Sequence, residues 1–302
     1  MTPSPTDPHP QGRRHPPAGS SAEGDLRSQG ESHQPGEPHP PSGPRRLGEP
    51  RHHHDELGST NDEARRLGAE GAPHGTTVTA TAQTAGRGRQ GRPWVAPPGR
   101  ALTVSVVLRD LPSPALLPLA VAVAVARTVG DEARIKWPND VVLVDEDPAS
   151  DAVTDGPCHP APPAAAPAPL RKIAGILCEG RPAEGWAVAG IGLNVALDLA
   201  DVPAEIADRA ATMGREPSEL DAVLRELLEQ LALVLDLPAD ELLAAWSTRD
   251  VLRGATIGWE RPGGGPGGEG VADGVDEQGR LRVRTANGVE LLDAGEVHLL
   301  RR

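Results

Sequence analysis

Tyrosine and phenylalanine are absent from the 302 residues, and five tryptophans are the whole aromatic content. A core built without them must rely on Leu, Val, Ile and Ala. Cysteine is nearly absent as well. Cys158 and Cys178 have no paired spacing, which argues against a disulfide framework and points to a reducing cytoplasm. Cys178 lies in an apolar run and is expected to be a small buried core residue. Positive charge is scarce: 30 Lys and Arg stand against 43 Asp and Glu, a formal net charge of -13. Such a chain is poorly suited to wrapping nucleic acid, so no nucleic-acid partner is expected. No apolar stretch is long and clean enough to span a membrane, and the N-terminus has no apolar targeting region, so no membrane partner is expected either.

Residues 1–50 have almost no large apolar side chain, Leu26 and Leu47 standing nearly alone, and hold twelve of the 33 prolines. This composition cannot bury enough surface to offset its ordering entropy, so a disordered tail is expected. It also has no helical period from which a DNA-reading helix could be built. His52, His53 and His54 follow without a Cys, Asp or Glu to complete an obvious metal site, and read as the polar start of a strand.

Folded sequence is expected from residue 51. Ser59 and Thr60 offer an N-cap and Asp62 and Glu63 suit a first helical turn. Thr76 to Ala82 and Leu102 to Leu108 read as strands. Ser113-Pro114 is a helix entry, and the apolar run 116–129 is long enough for a buried helix although its Ala-Val alternation also resembles a strand. Strands are expected at 133–137 and 141–144. Residues 145–169, rich in Pro, Ala and Asp, read as a solvated insertion between strands. Ile173 to Glu179 and Trp186 to Asn194 suggest a hairpin. Ser218 is expected to cap an amphipathic helix through Leu231, with a shorter helix over 239–249. From residue 253 short strands and glycine turns indicate a small all-β domain to 302, with a flexible glycine-rich tip at 262–270. The expected organisation is therefore a tail (1–50), a catalytic domain (51–252) and a β domain (253–302).

The segment Gly86-Arg87-Gly88-Arg89-Gln90-Gly91-Arg92 stands out. From Gly71 to Arg109 there are five arginines and no acid, an electropositive island in an acidic chain. Glycines let backbone N–H groups approach an anion, and arginines supply forks for phosphate and carboxylate. A Gly-Arg run by itself is also compatible with an RNA-binding tract, but this one lies between two strands.

The run resembles the Gly-Arg-Gly-Arg-x-Gly-Arg loop of biotin–protein ligases. Four further segments are similar to motifs of that family, in the same order: Gly58-Ser59-Thr60-Asn61, Lys136-Trp137-Pro138-Asn139-Asp140, Lys172-Ile173-Ala174-Gly175-Ile176-Leu177 and Gly190-Ile191-Gly192-Leu193-Asn194. The resemblance covers about residues 54–302 and implies an α+β fold: a mixed sheet with flanking helices, like class II aminoacyl-tRNA synthetases, plus a small SH3-like β-barrel. It implies activation of biotin by ATP to biotinyl-5′-AMP, then transfer to a lysine of a biotin carboxyl carrier domain.

Lys172, Arg87 and Arg89 are the implied catalytic cations, needed because a carboxylate must approach a phosphate. Ser59, Thr60, Asn61, Gln83, Arg87, Gly88, Arg89 and Lys172 would hold biotin; neutral hydroxyls and amides suit its ureido group. Gly86, Arg87, Arg89, Arg92, Trp94, Lys136, Asn139, Asp140 and Asn194 would hold ATP or the adenylate. Mg²⁺ is implied with ATP, with Asp140 either helping to position it or stabilising a turn. Trp94 could pack on the loop or on adenine, or be a structural core residue, and Trp137 reads as core. The resemblance is compatible with a monomer or a homodimer. Two rivals are a lipoate–protein ligase, disfavoured by the arginine loop and Lys-Trp-Pro-Asn-Asp, and a biotin-responsive repressor, disfavoured by the missing helix–turn–helix.

Overall fold

A computed structural model describes residues 47–145, 169–181, 184–260, 267–293 and 296–300. The proposed tail through residue 46, Cys158 and nearly all of the insertion lie outside these residues. The chain runs β1 (Arg51–Leu57), α1 (Thr60–Ala69), β2 (Thr77–Gln83), β3 (Ala101–Arg109), α2 (Leu117–Val129), β4 (Arg134–Lys136), β5 (Asp140–Val144), β6 (Leu170–Arg181) and β7 (Trp186–Asn194). It continues through α3 (Ala204–Ala207), α4 (Leu220–Leu235), α5 (Ala239–Ser247), β8 (Thr256–Glu260), β9 (Gly268–Val275), β10 (Leu281–Thr285), β11 (Gly288–Leu292) and β12 (Glu296–Leu299).

Seven strands form one mixed sheet in the order β1-β2-β3-β7-β6-β5-β4, with β1 and β2 parallel and the other neighbours antiparallel. The histidine run forms β1, where His53 Nδ1 lies 2.9 Å from Thr79 Oγ1. Alternation along the central strands divides the faces. Val104, Val106 and Leu108 of β3 and Ala187, Ala189, Ile191 and Leu193 of β7 turn to the main core, with α2, α4 and α5. Thr103, Ser105 and Val107 of β3 lie at the alternate positions, and Val107 packs with Ala64 of α1.

Helix α2 settles the ambiguity of the Ala-Val run. All its residues except Pro118, Arg127 and Val129 are buried, so it is apolar all round because it is covered all round. Small alanines let it lie close to the sheet and to α4. In α4 the buried residues Val223, Leu224, Leu227, Leu228, Leu231 and Val234 recur at helical spacing.

Two boundaries differ from the sequence reading. Leu47 packs against the core and the Gly48 N–H donates to Gly75 O at 3.0 Å, so ordered chain starts before residue 51. Ser218 does not cap α4. It lies inside a short turn entered at Pro217, where Glu219 Oε2 accepts from the Glu216 N–H at 2.8 Å. Ser59 occupies the N-cap of α1 but makes no capping bond through its side chain. The insertion leaves and re-enters the sheet at the paired residues Val144 and Leu170, which agrees with a strand–strand connection.

The second sheet is antiparallel, in the order β11-β10-β9-β8-β12. Its inner residues Ile257, Trp259, Leu281, Val283 and Val297 join the same hydrophobic cluster as α2 and the large sheet. A unit of about fifty residues buries too little surface to stand easily alone; here it shares a core. Trp137 ties the two sheets together: it is 2 % exposed, and its indole N–H donates to Gly279 O at 3.0 Å. Its reading as a core residue holds. No helix among the described residues is long and apolar enough to cross a membrane.

Asp250, in the connection to the second sheet, carries a testable cost. Its Oδ1 accepts from the Leu252 N–H at 2.9 Å, while Oδ2 is buried without a partner. Burial pushes its carboxyl up to about 6 from 3.8. A raised acid favours the protonated fold, so this contribution is complete below pH 3.8 and is lost as pH rises through about 6. Asp250→Asn keeps the acceptor and removes the charge. It is expected to raise thermal stability at pH 7.5, by on the order of 2 kcal/mol, and to have little effect at pH 4. Melting curves at both pH values check this; an equal effect at both would show that charge burial is not the cause.

Candidate active site

Two glycine-bearing strands and one tryptophan form an open cleft of about 230 Å³ on the α1 face of the large sheet. Gly175 of β6 and Gly190 and Gly192 of β7 leave a trough where side chains would otherwise stand. A Cβ at Gly192 would overlap the Trp94 ring, and one at Gly190 would overlap the Asn61 amide. At Gly175 a Cβ would lie 3.1 Å from Lys172 Nζ and Trp94 Cζ3. Trp94 is thus half-buried and forms a wall of the cleft, not part of the main core. Lys172 Nζ stands 5.9 Å from its ring centroid, within cation–π range.

The polar floor comes from the start of α1. Ser59, Thr60 and Asn61 are each no more than 5 % exposed. Gln83 Oε1 accepts from the Thr60 N–H at 2.8 Å and contacts Thr60 Oγ1 at 3.1 Å. The cap of α1 is therefore supplied from β2, across the sheet. Because a backbone N–H can only donate, the Gln83 oxygen must face Thr60, which leaves its amide N–H groups for the cleft. Ser105 Oγ lies 2.9 Å from Thr60 Oγ1 and donates to Asn61 Oδ1 at 2.6 Å.

Cations line much of the rest of the cleft. Among the described residues Arg87, Arg89, Arg92, Lys136 and Lys172 line it with one acidic residue, Asp140. Asp140 Oδ1 lies 2.6 Å from Lys172 Nζ. Burial draws the Lys136 ammonium below its ordinary range; Asp140 opposes this, and Lys172 and Arg92 add to it. Burial likewise lowers Arg89, against the pull of Asp140. Cations depressed in this way are short of negative charge, so an entering anion is favoured.

The arginine loop is a folded turn. The Trp94 N–H donates to Gly86 O at 2.9 Å, the Gly88 N–H to Arg92 O at 2.7 Å and the Arg92 N–H to Arg89 O at 3.2 Å. Gln90 and Gly91 are both left-handed, at φ 57 and 72, and glycine is needed at the second. Arg87 pairs with Asp62 of α1. At Gly88 this departs from the expectation that loop glycines free N–H groups for an anion, because the Gly88 N–H is already used. Buried Gly86 sits where a Cβ would be 2.6 Å from Trp94 O. Gly86 does not line the cleft.

Asn194 departs from expectation too. It is 6 % exposed and absent from the lining; its amide donates to Ala211 O at 2.9 Å, anchoring the chain after β7. Asn139 lines the cleft, yet its amide donates to Ile176 O at 3.1 Å, bracing β6. The remaining site residues expected from sequence converge. Reading by motif missed Ser105 and Glu179. Each was visible as a polar residue in a largely apolar stretch of strand, but only pairing shows that they meet Asn61. Cys178 is half-buried at the rim of the core, and burial pushes its thiol up to about 12, leaving it unreactive.

Among the described residues no three metal-ligating side chains converge. Asp140 alone, engaged with Lys172, does not make a protein-held Mg²⁺ site.

Residues 57–196 match the model of the biotin/lipoate A/B protein ligase family, and residues 261–300 match that of the biotin protein ligase C-terminal domain. A biotin–[acetyl-CoA-carboxylase] ligase of Mycobacterium tuberculosis is 31% identical over 271 residues, 82% of this chain and 87% of the relative. The bifunctional ligase/repressor BirA of Bacillus subtilis is 34% identical over 178 residues, 55% of this chain; the match spans only 47% of that protein's length. Among solved structures, the biotin protein ligase of Aquifex aeolicus in complex with biotin and ATP superposes with a TM-score of 0.61 at 25% identity, over 83% of this chain and 99% of that one.

Proposed function

The chain belongs to the biotin protein ligase family, and from that membership we propose that it joins biotin to a carrier-protein lysine in two steps at this cleft. In the first, a biotin carboxylate oxygen attacks the α-phosphorus of ATP; the bond to the bridging oxygen breaks and pyrophosphate leaves. In the second, the neutral amine of an acceptor lysine attacks the acyl carbon of biotinyl-5′-AMP. An amide forms, AMP leaves and the amine gives up a proton.

The observation that carries this reading is one trough lined by both a neutral polar floor and five cations. Ser59, Thr60, Asn61 and Gln83 suit an uncharged ureido ring. Lys172, with Arg87 and Arg89, suits the carboxylate and the α-phosphate, whose mutual repulsion has to be offset. Lys136, Arg92 and Trp94 are placed for the nucleotide, and Asn139 serves by bracing β6. Asn194 supports the site from behind. Mg²⁺ would arrive on the nucleotide's phosphates, and no step is assigned to a protein-held metal.

The same reading gives the chain a synthetase-like catalytic domain, an SH3-like second sheet, a biotin carboxyl carrier domain as partner, a monomeric or homodimeric state and a cytoplasmic location. The deciding test is incubation with ATP, Mg²⁺, labelled biotin and a carrier domain, in parallel with lipoate. Label on the carrier with biotin alone is expected. Transfer of lipoate in its place would overturn the biotin assignment.

Ligand should also protect the arginine loop. Arg87 and Arg92 are exposed, and fixing each loop residue costs roughly 1 kcal/mol or more, which an anion must supply. Limited trypsin digestion is expected to cut after Arg87 or Arg89 in the free protein, and several times more slowly with biotin plus ATP; the Arg92–Pro93 bond resists trypsin in either state. Equal cutting in both states would rule out closure of this loop.

A further inference from the structure

Asn61 lies at the floor of the cleft, 4 % exposed, yet most of its hydrogen-bonding capacity is spent within the protein. Its Nδ2 donates to Leu177 O at 3.1 Å and to Glu179 Oε2 at 2.8 Å; its Oδ1 accepts from Ser105 Oγ at 2.6 Å. A backbone carbonyl and a carboxylate can only accept, so the nitrogen must face β6. The remaining lone pair of Oδ1 is then all that position 61 can offer a ligand.

We propose that Glu179 is a positioning residue of the substrate site: by holding the Asn61 amide in one orientation, it makes position 61 an acceptor toward the ureido N–H of biotin. This rests on the biotin reading above. The carboxylate is suited to the task because a charged acceptor binds an N–H more firmly than a neutral one. It is three-quarters enclosed, with 28 % side-chain exposure, and Arg65 Nη1 steadies its other oxygen at 2.8 Å. Gly190 supplies the space in which the amide stands. Without Glu179, one N–H of Asn61 would have no charged partner. The amide could turn and set a donor against the ureido donor. Arg65 is 43 % exposed on the outer surface, so its pairing with Glu179 contributes little by itself.

Steady-state ATP–pyrophosphate exchange with biotin tests the proposal. Glu179→Leu is expected to raise the biotin KM by about tenfold or more, the loss of one charge-assisted hydrogen bond, while the ATP KM and kcat at saturating biotin change less than about threefold. Glu179→Gln keeps an acceptor and should restore the biotin KM to within about threefold of the wild type. Arg65→Leu removes only a half-exposed support and leaves the carboxylate in place, so it should move the biotin KM by less than about threefold. In an Asn61→Ala background, Glu179→Leu should have no additional effect, because the residue acts through Asn61. Glu179→Ala is measured alongside, so that misfolding of one variant leaves the comparison intact. If the wild type shows no biotin-dependent exchange, both the ligase reading and this one fall. If the wild type is active and Glu179→Leu or Glu179→Ala folds with an unchanged biotin KM, or if the effect persists in full without Asn61, the role of Glu179 alone is overturned.

Discussion

Lys172→Ala is expected to slow biotin-dependent ATP–pyrophosphate exchange by about a hundredfold or more, with a melting temperature within a few degrees of the wild type. Lys172 sits where the trough turns from neutral to cationic, 2.6 Å from Asp140 and 5.9 Å from the Trp94 centroid. Charge on the phosphoryl oxygens grows as the carboxylate attacks, and a fixed ammonium is worth more there than in the ground state. Losing one such group costs on the order of 3 kcal/mol at the transition state. The effect should fall on kcat more than on the biotin KM, because the floor that holds the ring is untouched. Stability should change little, since the Lys172 side chain is 38 % exposed and partly exposed ion pairs contribute little to folding. Arg in its place is not conservative. The guanidinium is bulkier and planar, and Gly175, where even a Cβ would meet Lys172 at 3.1 Å, leaves it little room. Exchange within threefold of wild type in a folded Lys172→Ala protein would remove Lys172 from the chemistry.

Gly190→Ala should act at the other end of the cleft and just as strongly. The added methyl would overlap the Asn61 amide, and this amide cannot move without breaking its bonds to Leu177, Glu179 and Ser105. Disturbing several buried hydrogen bonds at about 1 kcal/mol or more each should raise the biotin KM roughly a hundredfold. ATP binding should be spared, because the cationic end lies beyond Gly192 and Trp94. Isothermal titration with biotin and, separately, with ATP checks the split. Equal weakening of both ligands would mean that the substitution disrupts the sheet and not the floor. Gly88→Ala is a useful contrast from the arginine loop. A Cβ there would be 3.5 Å from Arg92 O, an ordinary contact, so little change is expected although Gly88 belongs to the most conspicuous motif.

That contrast shows how far the motifs could be read. The strands and the amphipathic α4 were legible because apolar periodicity reports which face of an element is covered, and the buried α2 was legible from the length of its apolar run. The cations were legible as an island of arginines free of acids. The duties of individual glycines were not. Gly86, Gly88 and Gly91 look alike in the sequence, but one avoids Trp94 O, one donates within its own turn and one supplies a left-handed φ. Asn194 and Asn139 have the polar character of ligand-binding residues, yet they spend their amides on the backbone at Ala211 and Ile176.

Local chemistry was sufficient for the elements themselves, for the acidic balance that disfavours nucleic acid, and for the presence of an arginine-rich loop free of acids. These depend on residues close together in the chain, where spacing and composition act directly. The floor of the site is a different matter. Thr60, Gln83, Ser105 and Glu179 come from α1, β2, β3 and β6, and they meet because the order β1-β2-β3-β7-β6 stacks those segments side by side. The direction in which the Gln83 and Asn61 amides face follows from obligate partners across the sheet. The shared core of the two sheets arises in the same way, through Trp137 and Gly279. No spacing in the sequence encodes such contacts, because they depend on register and on closure of the sheet, which the whole chain decides together.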